Sequence, residues 1–164
     1  MPTSTYDLIA SNVLGSSAAS VTFSSIPATY RDLILVVNAL GSGGSNFPGI
    51  RYNSDSGGNY SWVHANGDGS LATSSSQTGQ TYAIITNDGY PTTTTRAVMI
   101  TSIMDYSATD KHKSALSRGN NASNGTSMVA TRWANTAAIT SIEVLAISNN
   151  FASGSSFYLY GIVS

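Results

Sequence analysis

Few side chains in this 164-residue chain are equipped for catalysis, and their spacing does not gather them. There are two histidines, His64 and His112, with seven Asp, one Glu and 28 Ser. A Ser-His-Asp relay needs a nucleophile raised on a tight strand-to-helix elbow beside its base. No G-x-S-x-G elbow occurs, and among 28 serines a chance trio has no weight. Paired carboxylates for glycoside hydrolysis would have to come from Asp7, Asp32, Asp55, Asp68, Asp88, Asp105, Asp110 and Glu143. Asp55, Asp68, Asp88 and Asp110 stand in turn sequences, where the carboxylate serves the local backbone. His64, in "YSWVHANG", reads as facing outward from a strand. His112, between Lys111 and Lys113, reads as a solvated strand or turn residue. No catalytic residue is assigned, and the chain is expected not to be an enzyme.

Binding motifs fare little better. "GDGSLA" (67–72) matches the letter of a dinucleotide fingerprint, but "TSSSQTGQ" follows where a helix must begin. "NSDSGGN" (53–59) offers oxygens at alternate positions as a calcium loop would, yet the twelfth position is His64 and not Glu. A looser carboxylate-and-carbonyl site there is the minor reading, and a plain turn the major one. Tyr60 and Trp62 stand close by and could form a sugar platform, although aromatics this near a strand usually enter the core. Zero cysteines exclude disulfides, thiol nucleophiles and zinc-thiolate sites. No cofactor and no metal is expected. "NYS", "NAS" and "NGT" match the glycosylation pattern at Asn59, Asn121 and Asn124 and read as turn residues.

What must position these residues is a β framework. Ser, Thr and Asn total 59, while Glu is single and Lys only two, so the material for exposed helices is missing. Val, Ile and Thr number 39 and Tyr nine, which suits strands. Net charge of -1 gives no electrostatic footprint for nucleic acid or an anionic membrane surface. No apolar run approaches the ~20 residues a membrane helix needs. "MPTSTYDLIAS" has no basic residue before its apolar part, so a secretory signal is not expected, and the chain suits folding in a reducing cytoplasm.

Apolar or alternating runs fall at 6–10, 20–24, 32–40, 49–53, 60–65, 81–86, 96–106, 113–118, 127–133, 141–148 and 156–163, divided by Gly, Asn, Asp and Ser clusters. The spacing predicts an all-β chain: an antiparallel, jelly-roll-like β-sandwich of about ten or eleven strands with little or no helix. The best helix candidate, 107–116, reads as a turn entering a strand. Residues 1–5 read as a short N-terminal arm and 6–164 as one domain.

Two runs break the rule that a half-wet strand alternates. Leu33 to Val37 and Phe157 to Val163 are apolar at nearly every position, so their outer face must be covered too, by a long loop or by another subunit. Tyr158, Tyr160 and Ile162 share one face of the last run; Phe157, Leu159 and Val163 share the other, with Gly161 allowing a close approach. Sheet edges are thinly guarded as well, since the only two Lys flank His112 and there are four Pro.

"YDLIAS", "VTFSSIPATYRDLILVVNA", "RYNSDSGGNYS", "IMDYSATDKHKSALSR", "WANTAAITSIEVLAIS" and "FASGSSFYLYGI" together resemble a family of virion structural proteins from tailed bacteriophages, especially cyanobacterial and marine ones. The matching pieces span almost the whole chain. The resemblance implies a jelly-roll-like sandwich without catalytic activity, found as capsid-decorating (cement) proteins or as tail-fibre domains. It brings no catalytic residue to carry over. A single β domain without shaft repeats favours the cement role: a homotrimer on the outside of the head, partnered by itself and the major capsid protein, without nucleic acid or membrane. Tyr158, Tyr160 and Ile162 are the candidate subunit-contact residues. The alternative is a tail-fibre, receptor-binding module that recognises a host-surface glycan.

Overall fold

A computed structural model describes residues 4–163, which form twelve strands and no helix. In chain order they are β1 (Tyr6–Val13), β2 (Ser20–Phe23), β3 (Asp32–Ala39), β4 (Pro48–Tyr52), β5 (Tyr60–Gly67) and β6 (Ala72–Gln80). The second half supplies β7 (Ala83–Ile84), β8 (Ala97–Met104), β9 (Lys113–Asn121), β10 (Gly125–Trp133), β11 (Ile142–Ala146) and β12 (Ser156–Ile162). All pair antiparallel, in an eight-stranded sheet ordered β1-β12-β3-β8-β9-β10-β5-β6 and a four-stranded sheet ordered β2-β11-β4-β7.

Set aside the hairpins β5–β6 and β9–β10, and the chain crosses between the sheets at every step except β4 to β7, which are neighbours in the small sheet. The remaining order, β1-β12-β3-β8 over β2-β11-β4-β7, is the pair of interleaved Greek keys that defines a jelly roll. The two hairpins add four strands to one side of the larger sheet. The expected sandwich is therefore present, with twelve strands instead of ten or eleven. The additional strand is β6, whose "ATSSSQTGQ" is exposed at eight of its nine positions. With both faces wet it shows no apolar alternation, and its backbone pairing with β5 alone makes it a strand.

Alternation is strict in the hairpin β9–β10. In β9 every second residue from Lys113 to Asn121 is buried, and β10 follows with Ser127, Val129, Thr131 and Trp133 inward. The core between the sheets unites Leu33, Leu35, Phe157 and Leu159 of the large sheet with Ile50, Ile142 and Val144 of the small one. Residues 1–3 of the expected N-terminal arm lie outside the described residues. Ser4 turns back on itself, its Oγ donating to the Tyr6 carbonyl at 2.6 Å.

One expectation about facing is corrected, that of His64. Lys113 stands on the interior strand β9, 1% exposed, its Nζ donating to the Lys111 and Thr136 carbonyls at 2.9 and 3.1 Å. Burial holds its amine below the ordinary lysine range. His64 faces inward, because it shares a side with Trp62 and pairs with Val129, and its Nδ1 is buried without a partner. A two-residue side-chain period decides such facing, and Trp62 fixes the phase.

Candidate functional site

The carboxylates are dispersed and mostly occupied. Asp55 Oδ2 accepts from Trp133 Nε1 at 2.7 Å and Asn59 Nδ2 at 2.8 Å, while Oδ1 accepts from the Gly57 amide at 2.9 Å. Partial burial alone would push its pKa up. Hydrogen bonds from Trp133, Asn59, Gly57 and Asn135 outweigh that and hold it below the usual range. The "NSDSGGN" loop is thus a turn that serves its own backbone and the core. Asp32 accepts from the Asp105 amide at 2.8 Å, Asp105 pairs with Lys111 at 3.2 Å, and Glu143 pairs with Arg51 at 3.0 Å. Among the described residues no group of three or more His, Asp or Glu could hold a metal ion. Tyr60 and Trp62 are 1% and 8% exposed, so neither offers a sugar platform.

The surface feature that stands out is the outer face of the large sheet. Only two sheets exist among the described residues, and the small one covers the inner side, so no third layer lies over this face. Of the ten large hydrophobic residues that remain exposed, eight point outward here: Tyr6, Leu8, Val13, Val63, Val98, Met104, Leu116 and Met128. Register makes them rows that run across strands. Leu8 pairs with Tyr160, Tyr160 with Ile34, Ile34 with Ser102, Ser102 with Leu116, Leu116 with Ala130 and Ala130 with Val63. The next row runs Tyr158, Val36, Ile100, Arg118, Met128 and Ala65.

Tyr158, Tyr160 and Ile162 all lie on this face, partly exposed, and the two tyrosine rings stack at 6.5 Å between centroids. Phe157 and Leu159 point the other way into the core. Strands β12 and β3 are therefore apolar on both sides because their outer sides join a face on which apolar residues recur from strand to strand. Eight strands at ~4.8 Å spacing and seven to nine residues of length make a face of roughly 1,000 Å². That is large enough for the ~800 Å² each partner commits to a standard protein interface. Sequence reasoning found the β12 and β3 part of this face. It missed the part carried by β9, β10 and β5, where Leu116, Met128 and Val63 look like isolated apolar residues when each strand is read alone. It also passed over β8, whose outward Val98, Ile100 and Met104 make that strand apolar on both sides too.

A second feature, also missed, is a polar hollow of about 530 Å³ at one end of the large sheet. The β5–β6 turn brings Asp68, the β7–β8 connection brings Asp88 and Tyr90, and the β9–β10 turn brings Asn124. Asp68 Oδ1 caps its own turn, accepting from the Ser70 and Leu71 amides at 2.7 Å. Asn124 Nδ2 is buried without a partner. Asn121, one of the three sequon residues, is 4% exposed and donates to the Thr95 carbonyl at 3.1 Å, a structural turn residue as expected.

No protein-family model matches this chain, and no curated protein matches it. Among solved structures, an exo-inulinase from Aspergillus awamori is similar over 96% of this chain and 29% of its own, with a TM-score of 0.43 and 10% identity. The chain spans less than a third of that enzyme, and so distant a likeness carries no argument.

Proposed function

We propose that this chain is a non-enzymatic structural protein of a tailed-phage virion, a decoration (cement) protein that binds the outer surface of the head lattice and stabilises it as a homotrimer. The sequence resemblance suggests the role, and the apolar outer face of the large sheet is the observation that supports it. Scattered surface apolar residues need no explanation, but eight on one interface-sized face mark a contact surface. In this reading Tyr158, Tyr160 and Ile162 meet a neighbouring copy, and the major capsid protein is the second partner. Net charge of -1 leaves buried area to supply the affinity.

The polar hollow favours a second reading, a tail-fibre module that recognises glycan. Two carboxylates, Asp68 and Asp88, and Tyr90 at its wall are groups that sugar hydroxyls and ring faces can engage. Immunogold electron microscopy of purified particles separates the two. Label over the head is the expected result. Label confined to the tail tip selects the glycan reading, and unlabelled particles end both.

A further inference from the structure

The outer face is not uniform in charge. Across β1, β12 and β3 its outward positions include Leu8, Tyr158, Tyr160, Ile162, Ile34 and Val36. The charged residue among them, Asp32 opposite Ile162, is paired with Arg31 at 3.4 Å and accepts the Asp105 amide. From β8 to β6 the same face carries Arg118 and Arg132 and no acidic residue at all. Both arginines are exposed, and neither makes an ion pair or a side-chain hydrogen bond among the described residues. They come from β9 and β10, one of the hairpins added to the jelly roll.

Arg118 has an unusual setting. It stands between Ile100 on β8 and Met128 on β10, its directly opposed neighbours. It lines three shallow hollows at once, the first with Val98 and Ile100, the second with Ala65 and Met128, the third with Ser102 and Leu116. A guanidinium rooted among apolar hollows is pre-oriented to take a carboxylate bidentately while neighbouring apolar groups fill the depressions. Arg132 lines a similar hollow beside Val63, and strand geometry places its Cα roughly 14 Å from that of Arg118.

We infer that this half of the face docks a different protein, one that presents an apolar surface with two carboxylates about 14 Å apart. The inference rests on the proposed virion role, where that protein is the shell. A second copy stacked on the same half would bury both guanidiniums against further arginines, with no acid from either copy to compensate, and buried unpaired charge is strongly unfavourable. The half across β12, whose one carboxylate Asp32 is already paired, carries no such penalty and is left for self-contact. The added hairpins thus separate two tasks that one flat face would otherwise confuse.

The test reloads purified full-length protein onto particles stripped of it and counts bound copies. R118E, and R118E combined with R132E, should lower occupancy at least tenfold, while R118K, which keeps the charge but not the two-pronged fork, should lose less than R118E. Size exclusion and thermal melting check that each variant keeps the parent's mass and fold. On particles carrying R118K, carbodiimide, which joins an amine to a carboxylate in contact, should link position 118 to an Asp or Glu of a shell protein. Parent that binds while R118E binds equally overturns the inference and leaves the virion role standing. So does a link from position 118 to another copy of this chain. Parent that does not bind particles overturns the virion role and the inference together.

Discussion

Gly161 and Tyr30 occupy the same space in a way only glycine permits. A Cβ built on Gly161 would overlap the Tyr30 ring, which lies flat against the β12 backbone. Tyr30 is in turn held by its amide, which donates to Tyr106 Oη at 3.3 Å, and that hydroxyl donates to the Pro27 carbonyl. Gly161→Ala should therefore destabilise by about 2 kcal/mol, the range of core overpacking, or roughly 4–8 °C in a chain of this size. Thermal melts of G161A, Tyr30→Ser and the double variant check it. The double variant should recover much of the G161A loss, and additive losses would mean that the ring is not the obstacle.

The Asp55 carboxylate carries a second prediction. Trp133 is 1% exposed and spends its only donor on Asp55, so Asp55→Ala leaves a buried N–H without a partner. The expected cost is about 2 kcal/mol. The pH dependence has a definite sign. Because the folded pKa lies below the ordinary value near 4, the stabilisation is complete above that value and is lost as pH falls through the folded pKa. Urea titrations from pH 7 to pH 2 should show the parent losing stability in this acid window more steeply than D55A. Parallel curves would remove Asp55 from that role.

Tyr52 and Tyr60 touch, yet their hydroxyls should behave oppositely. Tyr60 Oη accepts from the Tyr52 amide at 2.9 Å, whereas Tyr52 Oη is buried with no partner. Tyr60→Phe orphans a buried amide and should cost about 1–3 kcal/mol, while Tyr52→Phe should be neutral or mildly stabilising. Burial also raises both phenol pKa values, Tyr60 to about 12. A raised value means stability intact below the unfolded pKa near 10 and lost as pH climbs toward 12. Alkaline unfolding of the parent should begin in that window. Y60F should flatten the loss there, and an unchanged profile would contradict the assignment.

How much of this was legible in the sequence depends on whether a signal was local. Strands β9 to β12 announced themselves, because each alternates in side-chain environment or is apolar on both sides. Strand β6 was hidden: Ser, Thr and Gln exposed on both faces have no phase to read, and only the register with β5 makes it a strand. Tyr158, Tyr160 and Ile162 were legible as a surface because consecutive apolar residues need two dry faces. Leu116, Met128 and Val63 were not, since each alternates innocently within its own strand. Only the β9–β10–β5 register sets Leu116 beside Ala130 and Ala130 beside Val63. Inwardly directed His64 was misread for a related reason: a polar side chain gives no phase, and the apolar partner that sets it, Val129, is distant in sequence.

Tyr160 is the residue on which the self-contact turns. It sits between Leu8 on β1 and Ile34 on β3 and stacks on Tyr158, so it is central to the half of the face that lacks the two unpaired arginines. It is only partly buried, and an Asp there can keep its carboxylate in water, so the isolated fold should lose no more than about 1 kcal/mol. At a dry contact between copies the same carboxylate would be buried unpaired, which costs several kcal/mol. Multiangle light scattering should accordingly find the parent as a trimer and Tyr160→Asp as a monomer with a nearly unchanged melting temperature. Ile162→Asp should act in the same direction, and Ser102→Asp, nearer the arginine half, should leave the trimer intact. If Y160D remains trimeric, β12 is not the self-contact, and its apolar outer side must be assigned to the shell along with Arg118.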